Sequence, residues 1–432
     1  MGGGRVVLKE IITKAKNDSV SCMSEPIRRS STDIQGVLES DTSARAAGVT
    51  TELSAGDWPS IGIYQSQAGT RDASGITIYV QELVDRLAEL TSTYLYTKAG
   101  PFTEKIDESD AEIVSFGQYR VGASVYRVLS QFANSFGFLS AEVSETIRSF
   151  VNAVQEGVID HIETNVDVLV THNIMDSVLL SNVVDVPVIR VFHTCQQVGI
   201  GSKVLKFLSQ TATTVANSQQ TAHEISDRLG YEPSGIVHPG VDIERFTPDR
   251  TPAFESPNPV VMFVGRFVQE KRVFDLLEAF AEMSMDGNLY LVGRGDESRI
   301  ADRITELGVS QSVTIVGEVP HDDLPHYYAA ADVVCLPSYY ESFGMVNLEA
   351  MASGTPVITS DVAGIREYAT DRETCLLIPP GNPDRLAAGL EELLASPALR
   401  AKLGAAGREV SEQYSWQESA ETLARICTAE LQ

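Results

Sequence analysis

Two series of short β-branched runs, each interrupted by helix-length amphipathic segments, constrain this chain more than any other feature. The first series is SIGIY from Ser60, STYLYT from Ser92, DVLVT from Asp167, VIRVF from Val188 and TTVAN from Thr213. The second runs VVMFV from Val260, then NLYLV, VTIV, VVCL, PVIT and CLLI. Apolar runs of this length read as buried strands, while segments such as YVQELVDRLAEL between them carry apolar residues at helical spacing. Their alternation is the pattern of a parallel sheet wrapped by helices. With 432 residues, more than one hydrophobic core is expected, and the two series predict two Rossmann-like α/β domains facing across a cleft. HPGVDIERFTPDRTPAFESPNP, rich in Pro and turn formers, reads as the connection between them. The expected boundaries are an extension over 1–57, a first domain over 58–250, a second over 251–412 and a terminal helix over 413–432 that carries Trp416. The extension mixes Gly, Ser, Thr and charge with little periodicity and is expected to be largely disordered, and Met23 could be the true start.

In open parallel sheets ligands sit at the carboxyl ends of the strands, so the residues that follow each strand are where chemistry is sought. After VVMFV come Gly265 and Arg266, then Lys271 before a helix with the apolar face Val273, Leu276, Leu277 and Phe280. A glycine lets backbone approach a ligand, and the two cations suit a pair of phosphates. Gly293-Arg294-Gly295 after NLYLV is a weak GxG signal that reads as a plain strand-to-helix turn with close backbone approach. SYYESFGMVNLEAMASGTPVITS, Ser338 to Ser360, reads as a loop and then a buried helix from about Phe343, ended by Gly354 and Pro356. The amides of Phe343, Gly344 and Met345 would form a helix amino end open to an anion. Glu341 lies before that end and Glu349 one to two turns inside the helix. Carboxylates repel phosphate but accept hydrogen bonds from neighbouring hydroxyls. A sugar–diphosphate–ribose ligand fits this order, with Glu341 on the sugar, the amides, Arg266 and Lys271 on the diphosphate, and Glu349 on the ribose diol. A hydrolytic carboxylate pair matches less well, because an anion site with Arg and Lys flanks one of the two acids.

In the first series, Ser74-Gly75-Ile76 forms a turn before YVQELVDRLAEL that could meet a phosphate. His172 follows DVLVT and His193 follows VIRVF, each at a strand end facing the presumed cleft. A lone histidine is more often structural; its position selects His193 for a functional role and leaves His172 open between the two. Asp167 reads as structural, and His161, His223, His238, His321 and His326 have no supporting context.

The balance of 59 acidic against 33 basic residues, nine of them lysine, gives a net charge of −26 and no clustered basic face, which argues against a nucleic-acid partner. Acid spread along the whole chain suits a high-salt cytoplasm, where screening tolerates self-repulsion, and predicts loss of fold or activity in dilute buffer. No uncharged apolar run approaches a membrane span. Five scattered cysteines without a CxxC pair read as reduced thiols, with neither a disulfide framework nor a zinc site.

On these residues the chain resembles the GT-B glycosyltransferases of the large retaining family 4 group, from about Ser60 to the carboxyl end. ESFGMVNLEAMASGTPVI carries the family's Glu, seven residues, Glu element; VGRFVQEK its Arg and Lys elements; HPGVDIERFTP its inter-domain signature; and ANSQQTAHEI its Asn-Ser strand end. SGITIYVQEL resembles the amino-terminal double-glycine loop with Ser74 in place of the first glycine, and Arg272 stands where glycine is common. The resemblance implies metal-independent transfer with retention of anomeric configuration, the first domain binding the acceptor and the second the nucleotide-diphosphate sugar. It implies Arg266, Lys271, Glu341 and His193 as catalytic residues, His193 touching the transferred sugar. Glu349, Phe343, Gly344, Met345, Gly265, Gly75 and Ser74 would hold the donor. No cofactor is expected, the nucleotide sugar being a substrate. The partner is a hydroxyl acceptor, whether glycan, lipid or small molecule. The terminal segment resembles the family's helix that crosses back onto the first domain. A cytoplasmic location is expected; SKVLKFLSQ is either an ordinary amphipathic helix or a peripheral contact with the inner membrane face. Two competing readings are a GT-B nucleotide-sugar epimerase or hydrolase, and a non-catalytic nucleotide-sugar-binding protein; the intact Arg266, Lys271, Glu341 and Glu349 argue against the latter.

Overall fold

The computed structural model describes residues 58–65, 75–98, 104–117, 141–195 and 212–432. The expectations placed on residues 1–57, Met23, Ser74 and SKVLKFLSQ lie outside the described residues.

Two sheets, parallel throughout, organise the chain. The first comprises β1 (Ile61–Tyr64), β2 (Thr93–Lys98), β3 (Glu112–Phe116), β4 (Val168–Thr171), β5 (Val188–Phe192), β6 (Thr213–Ala216) and β7 (Gly235–Ile236), in the order β3-β2-β1-β4-β5-β6-β7. The second comprises β8 (Val260–Val264), β9 (Asn288–Val292), β10 (Val313–Gly317), β11 (Val333–Leu336), β12 (Val357–Ser360) and β13 (Leu376–Ile378), in the order β10-β9-β8-β11-β12-β13. The sequence pattern anticipated all six strands of the second sheet and five of the first. It missed β3, a half-exposed edge strand, and β7, which is two residues long.

Central strands such as IGIY, VLVT, VVMFV and VVCL are buried along their whole length, because helices cover both faces of each sheet. Val261, Phe263, Leu277 and Leu390 fill one face of the second sheet; Val260, Met262, Val334 and Leu348 fill the other. Each large apolar side chain so enclosed stabilises the fold by roughly 1.5–3 kcal/mol before entropy is counted. In each sheet the strand order reverses at one place, between β1 and β4 and between β8 and β11. Side chains that follow these strands therefore converge on two crevices.

The last helix, Trp416–Glu430, belongs to the core of the first sheet. Trp416, Ala420, Leu423, Ala424 and Cys427 pack with Ile61, Ile63, Tyr79 and Leu83, the last two from the helix Gly75–Leu90. Polar contacts close the gap between the sheets. Gln219, the first residue of the helix Gln219–Leu229, donates its amide to both oxygens of Glu367 at 2.8 and 2.9 Å, a carboxylate seated on a helix amino end. Glu367 also pairs with His238 at 2.6 Å. Glu82, buried on the first helix, joins Lys105 of its own domain to Arg245 of the connection, which reaches on to Asp242 and Asp322.

Candidate active site

At the reversal point of the second sheet, the chain leaves β8 through Gly265, whose φ of 149° no other residue adopts readily. Its carbonyl lies so close to Gly293 that a Cβ on Gly293 would stand 1.9 Å from that oxygen. Gly293 therefore serves chain-to-chain packing, as the plain-turn reading of the GxG segment expected. A short 3-10 turn, Gln269–Lys271, leads into the helix Val273–Glu282 by way of Arg272, at φ 54°. Arg272 thus occupies a left-handed conformation, which explains why glycine suits this position.

From the neighbouring strand β11 comes the Glu341 loop, tied to the Lys271 turn by the bond from the Tyr339 amide to the Glu270 carbonyl, 2.8 Å. Lys271 Nζ donates to Glu341 Oε1 at 2.6 Å, and Ser338 Oγ donates to the same oxygen at 2.6 Å. Lysine and glutamate, 70 residues apart in the chain, form one ion pair that is largely shielded from water, Glu341 being 7% exposed. The expectation gave them separate ligand groups; in a crevice of reduced dielectric the opposite charges pair with each other. Arg266 is exposed on the bend after β8, and among the described residues no ion pair holds it.

The helix that follows spans Met345–Ala352 and starts later than the sequence suggested. Gly344 is its amino cap at φ 84°, and the ring of Phe343, counted from sequence as part of the helix end, is buried beside His238, Tyr368 and Tyr414. Burying that ring turns the chain at Gly344, where a Cβ would meet Ile365 at 2.6 Å. The helix proper thus offers its first amides from Met345 onward, while the Asn347 amide is spent on the Gly344 carbonyl. Glu349, 6% exposed, has both oxygens engaged, Oε1 with His321 Nε2 and Oε2 with the Tyr328 hydroxyl, each at 2.8 Å. Burial and the adjacent carboxylate push the Tyr328 phenol well above its usual range, so it stays a donor. Glu349, His321 and Met345 line a narrow cavity together with Ile78 and Glu82 of the first domain. Sequence reasoning gave His321 no role, although it follows the carboxyl end of β10 and the strand-end rule would have selected it.

Across the cleft His172 and His193 come together, His172 Nδ1 standing 3.0 Å from His193 Nε2. They leave neighbouring strands β4 and β5, and the ring of Tyr79 packs against both. Burial holds His193 down at about 4 and His172 well below the usual imidazole value, the latter lowered further by its neighbour, so both are neutral near pH 7. Thr194 Oγ1, one residue beyond His193, meets the hydroxyl of Tyr340, one residue before Glu341, at 3.1 Å. This contact brings the segment that follows His193 against the one that precedes Glu341. Gly75 opens the helix Gly75–Leu90 at the end of the first sheet's reversal point, and among the described residues nothing lies within 4 Å of where its Cβ would be.

The chain matches the model of Glycosyl transferases group 1 over residues 246–410 and that of Glycosyltransferase Family 4 over residues 73–245. It is 30% identical to a D-inositol 3-phosphate glycosyltransferase of Kribbella flavida, covering 82% of this chain and 91% of that protein. To a protein of the same description from Salinispora arenicola it is 27% identical, over 88% of this chain and 94% of the relative. Among solved structures, the sucrose-phosphate synthase of Thermosynechococcus elongatus superposes with a TM-score of 0.67 at 23% identity, over 85% of this chain and 98% of the other. Anabaena HepE in complex with UDP-glucose superposes with a TM-score of 0.68 at 18% identity, over 86% and 100%. At these identities the two solved structures share the fold with this chain.

Proposed function

Since the chain belongs to the family 4, group 1 glycosyltransferases of GT-B fold, we propose that it moves a hexose from a nucleotide-diphosphate sugar to a hydroxyl acceptor, with retention of configuration and without a metal ion. The observation that carries this reading is the 2.6 Å pair of Lys271 and Glu341 at the reversal point of the second sheet. A donor entering there offers each partner a replacement: the diphosphate takes the ammonium, and sugar hydroxyls take the carboxylate. Until then the pair holds both side chains at the crevice, which limits the reorganisation needed at binding. Arg266, exposed on the same bend, adds a second cation to the leaving diphosphate. The amides at Met345 add a partial positive charge. Charge that grows on the diphosphate as the glycosidic bond breaks is thus met by groups already in place, and a phosphate oxygen can accept the acceptor's proton. His193 lies on the opposite side of the cleft, where the transferred sugar would touch it, and the His321–Glu349 pair would meet the ribose hydroxyls.

HepE holds UDP-glucose and the relatives are described as acting on D-inositol 3-phosphate, so UDP-hexoses and phosphorylated or free polyols are the first donors and acceptors to test. Purified protein would be incubated with each UDP-hexose, with and without acceptor, in the presence of a chelator, following UDP release and the anomeric signal of the product by NMR. Acceptor-dependent release with the donor's own anomeric configuration is expected. Sugar release or epimerisation from donor alone would replace this reading with a hydrolase or epimerase, and loss of turnover with the chelator would overturn metal independence.

A further inference from the structure

The hydrogen bond between His172 Nδ1 and His193 Nε2 contains one proton, and the surroundings decide whose it is. Two neutral arrangements satisfy the 3.0 Å contact. In one, His193 donates from Nε2, which forces the proton of His172 onto its own Nε2. In the other, His172 donates from Nδ1, its Nε2 carries a lone pair, and the proton of His193 sits on Nδ1. His172 Nε2 is enclosed and has no hydrogen-bond partner among the described residues. The hydroxyl of Tyr79, whose ring packs on both imidazoles, is already committed to the Val237 carbonyl at 3.1 Å and serves neither. The first arrangement therefore strands a buried N–H, and orphaned N–H groups are the rarest unsatisfied groups in folded proteins. The second strands only an acceptor lone pair.

We propose that His172 is a positioning residue that donates to His193 and locks it as the Nδ1–H tautomer, making His193 a hydrogen-bond donor to an oxygen of the bound ligand and leaving it no lone pair with which to take a proton. His193 is half-buried whereas His172 is enclosed, so Nδ1 of His193 is the ring nitrogen left to meet a ligand. A donor at this place complements a reaction whose proton leaves with the phosphate: the imidazole orients a hydroxyl and stays neutral throughout. Trp416 of the terminal helix packs edge-on against Tyr79 with ring centroids 5.4 Å apart, so the same stack ties the histidine pair to the chain's last element. The proposal rests on the glycosyl-transfer reading only for the identity of the ligand oxygen; the tautomer itself does not depend on it.

The test is a two-dimensional 1H–15N multiple-bond NMR spectrum of the full chain labelled with 15N-histidine, with peaks assigned by loss in His193→Gln and His172→Asn. The expected pattern gives protonated Nδ1 and unprotonated Nε2 for both residues, and a protonated Nε2 on His193 overturns the proposal. His172→Leu should release His193 towards the Nε2–H tautomer that free imidazole side chains prefer. His172→Asn, whose amide can donate from the position of Nδ1, should keep it. Should the Leu variant fold and leave the His193 pattern unchanged, positioning by His172 is refuted; should it not fold, the wild-type spectrum still decides. In the UDP-release assay the Leu variant should lose kcat more than donor KM and the Asn variant should recover it. Absence of transfer to any acceptor would sink the proposed reaction while leaving the spectral answer standing.

Discussion

The two walls of the cleft hold their buried titratable groups differently, although neither is uniform: among the described residues Asn347 Oδ1 and Ser360 Oγ of the second domain lack a partner, and Glu82 of the first is paired with Lys105 and Arg245. On the second-domain wall each buried carboxylate has a partner of matching chemistry: Glu341 has Lys271 and Ser338, and Glu349 has His321 and Tyr328. The first-domain wall instead encloses the Tyr64 hydroxyl, both oxygens of Asp176 and Nε2 of His172 with no hydrogen-bond partner among the described residues. Paired groups hold each other's side chains in place and can be exchanged for a ligand of either charge. On this wall burial acts on protonation: it lifts Asp176 to about 8 and depresses the two histidines, which have each other as partners. The Lys271–Glu341 ion pair brings charge to one side of the cleft, whereas the histidine pair on the other is neutral near pH 7.

The largest effect that would break this comparison lies at the paired wall. Lys271→Ala and Glu341→Ala should each lower transfer by about 10²–10³-fold, the range for removal of one group that stabilises developing charge, with a circular dichroism spectrum unchanged from wild type. The double variant should lose less than the product of the two, since neither partner then leaves an uncompensated charge in the crevice. Near-wild-type turnover in both single variants would remove the donor site from this wall.

A smaller effect sharpens the contrast from the other side, through the pH dependence of stability. The folded values of His172 and His193 lie below 6.5, so the unfolded chain binds their protons first, and stability rises with pH up to about 6.5. Asp176 has the opposite sign: its folded value of about 8 lies far above the ordinary aspartate range, so its contribution is present at low pH and is lost as pH rises towards 8. Among the described residues, each histidine meets the other and Tyr79, and Asp176 acts on Tyr64. Each group contributes a slope of roughly 1.4 kcal/mol per pH unit within its window. Two rising slopes against one falling slope give a maximum near pH 6.5 and a decline to pH 8. Urea denaturation across this range should show that maximum in the wild type and a plateau above pH 6.5 in Asp176→Asn. A decline of equal steepness in the variant would mean that Asp176 is not the group responsible.

The same contrast explains what could be read from residue order. The paired wall is carried by one contiguous stretch, in which a strand, a loop acid, a helix start and a helix acid follow one another from Val333 to Glu349, and by a lysine conspicuous in a chain with only nine. All six strands of that domain are short runs dominated by apolar and β-branched residues and were legible for the same reason. The first wall is assembled by tertiary contact: His172 meets His193, 21 residues on, and both meet Tyr79 from a helix about a hundred residues earlier, a convergence that no local spacing encodes. Local context misled at Phe343, an apolar residue next to an apolar helix, whose ring was claimed by His238 and Tyr414 from distant segments. The pairing of His321 with Glu349 was likewise invisible, because 28 residues and an intervening strand separate the two.

Backbone strain is distributed unevenly as well, and it supplies the smallest test. Among the described residues the two non-glycine positions with positive φ, Arg272 and Arg372, both lie in the second domain. Arg272 stands between Lys271 and the helix Val273–Glu282, so its left-handed turn sets the direction from which the ammonium reaches Glu341. Its guanidinium also pairs with Asp275 at 2.8 Å, which confounds any single substitution. Comparing Arg272→Gly with Arg272→Ala removes the confusion, since both lose the ion pair and differ only in the cost of φ 54°. The glycine variant should be the more stable by about 1 kcal/mol in urea denaturation, and it should keep the lysine placed and retain more transfer activity. If alanine proves as stable as glycine, the left-handed turn at Arg272 does not exist in solution, and the approach of Lys271 to Glu341 must be fixed by the Tyr339–Glu270 backbone bond alone.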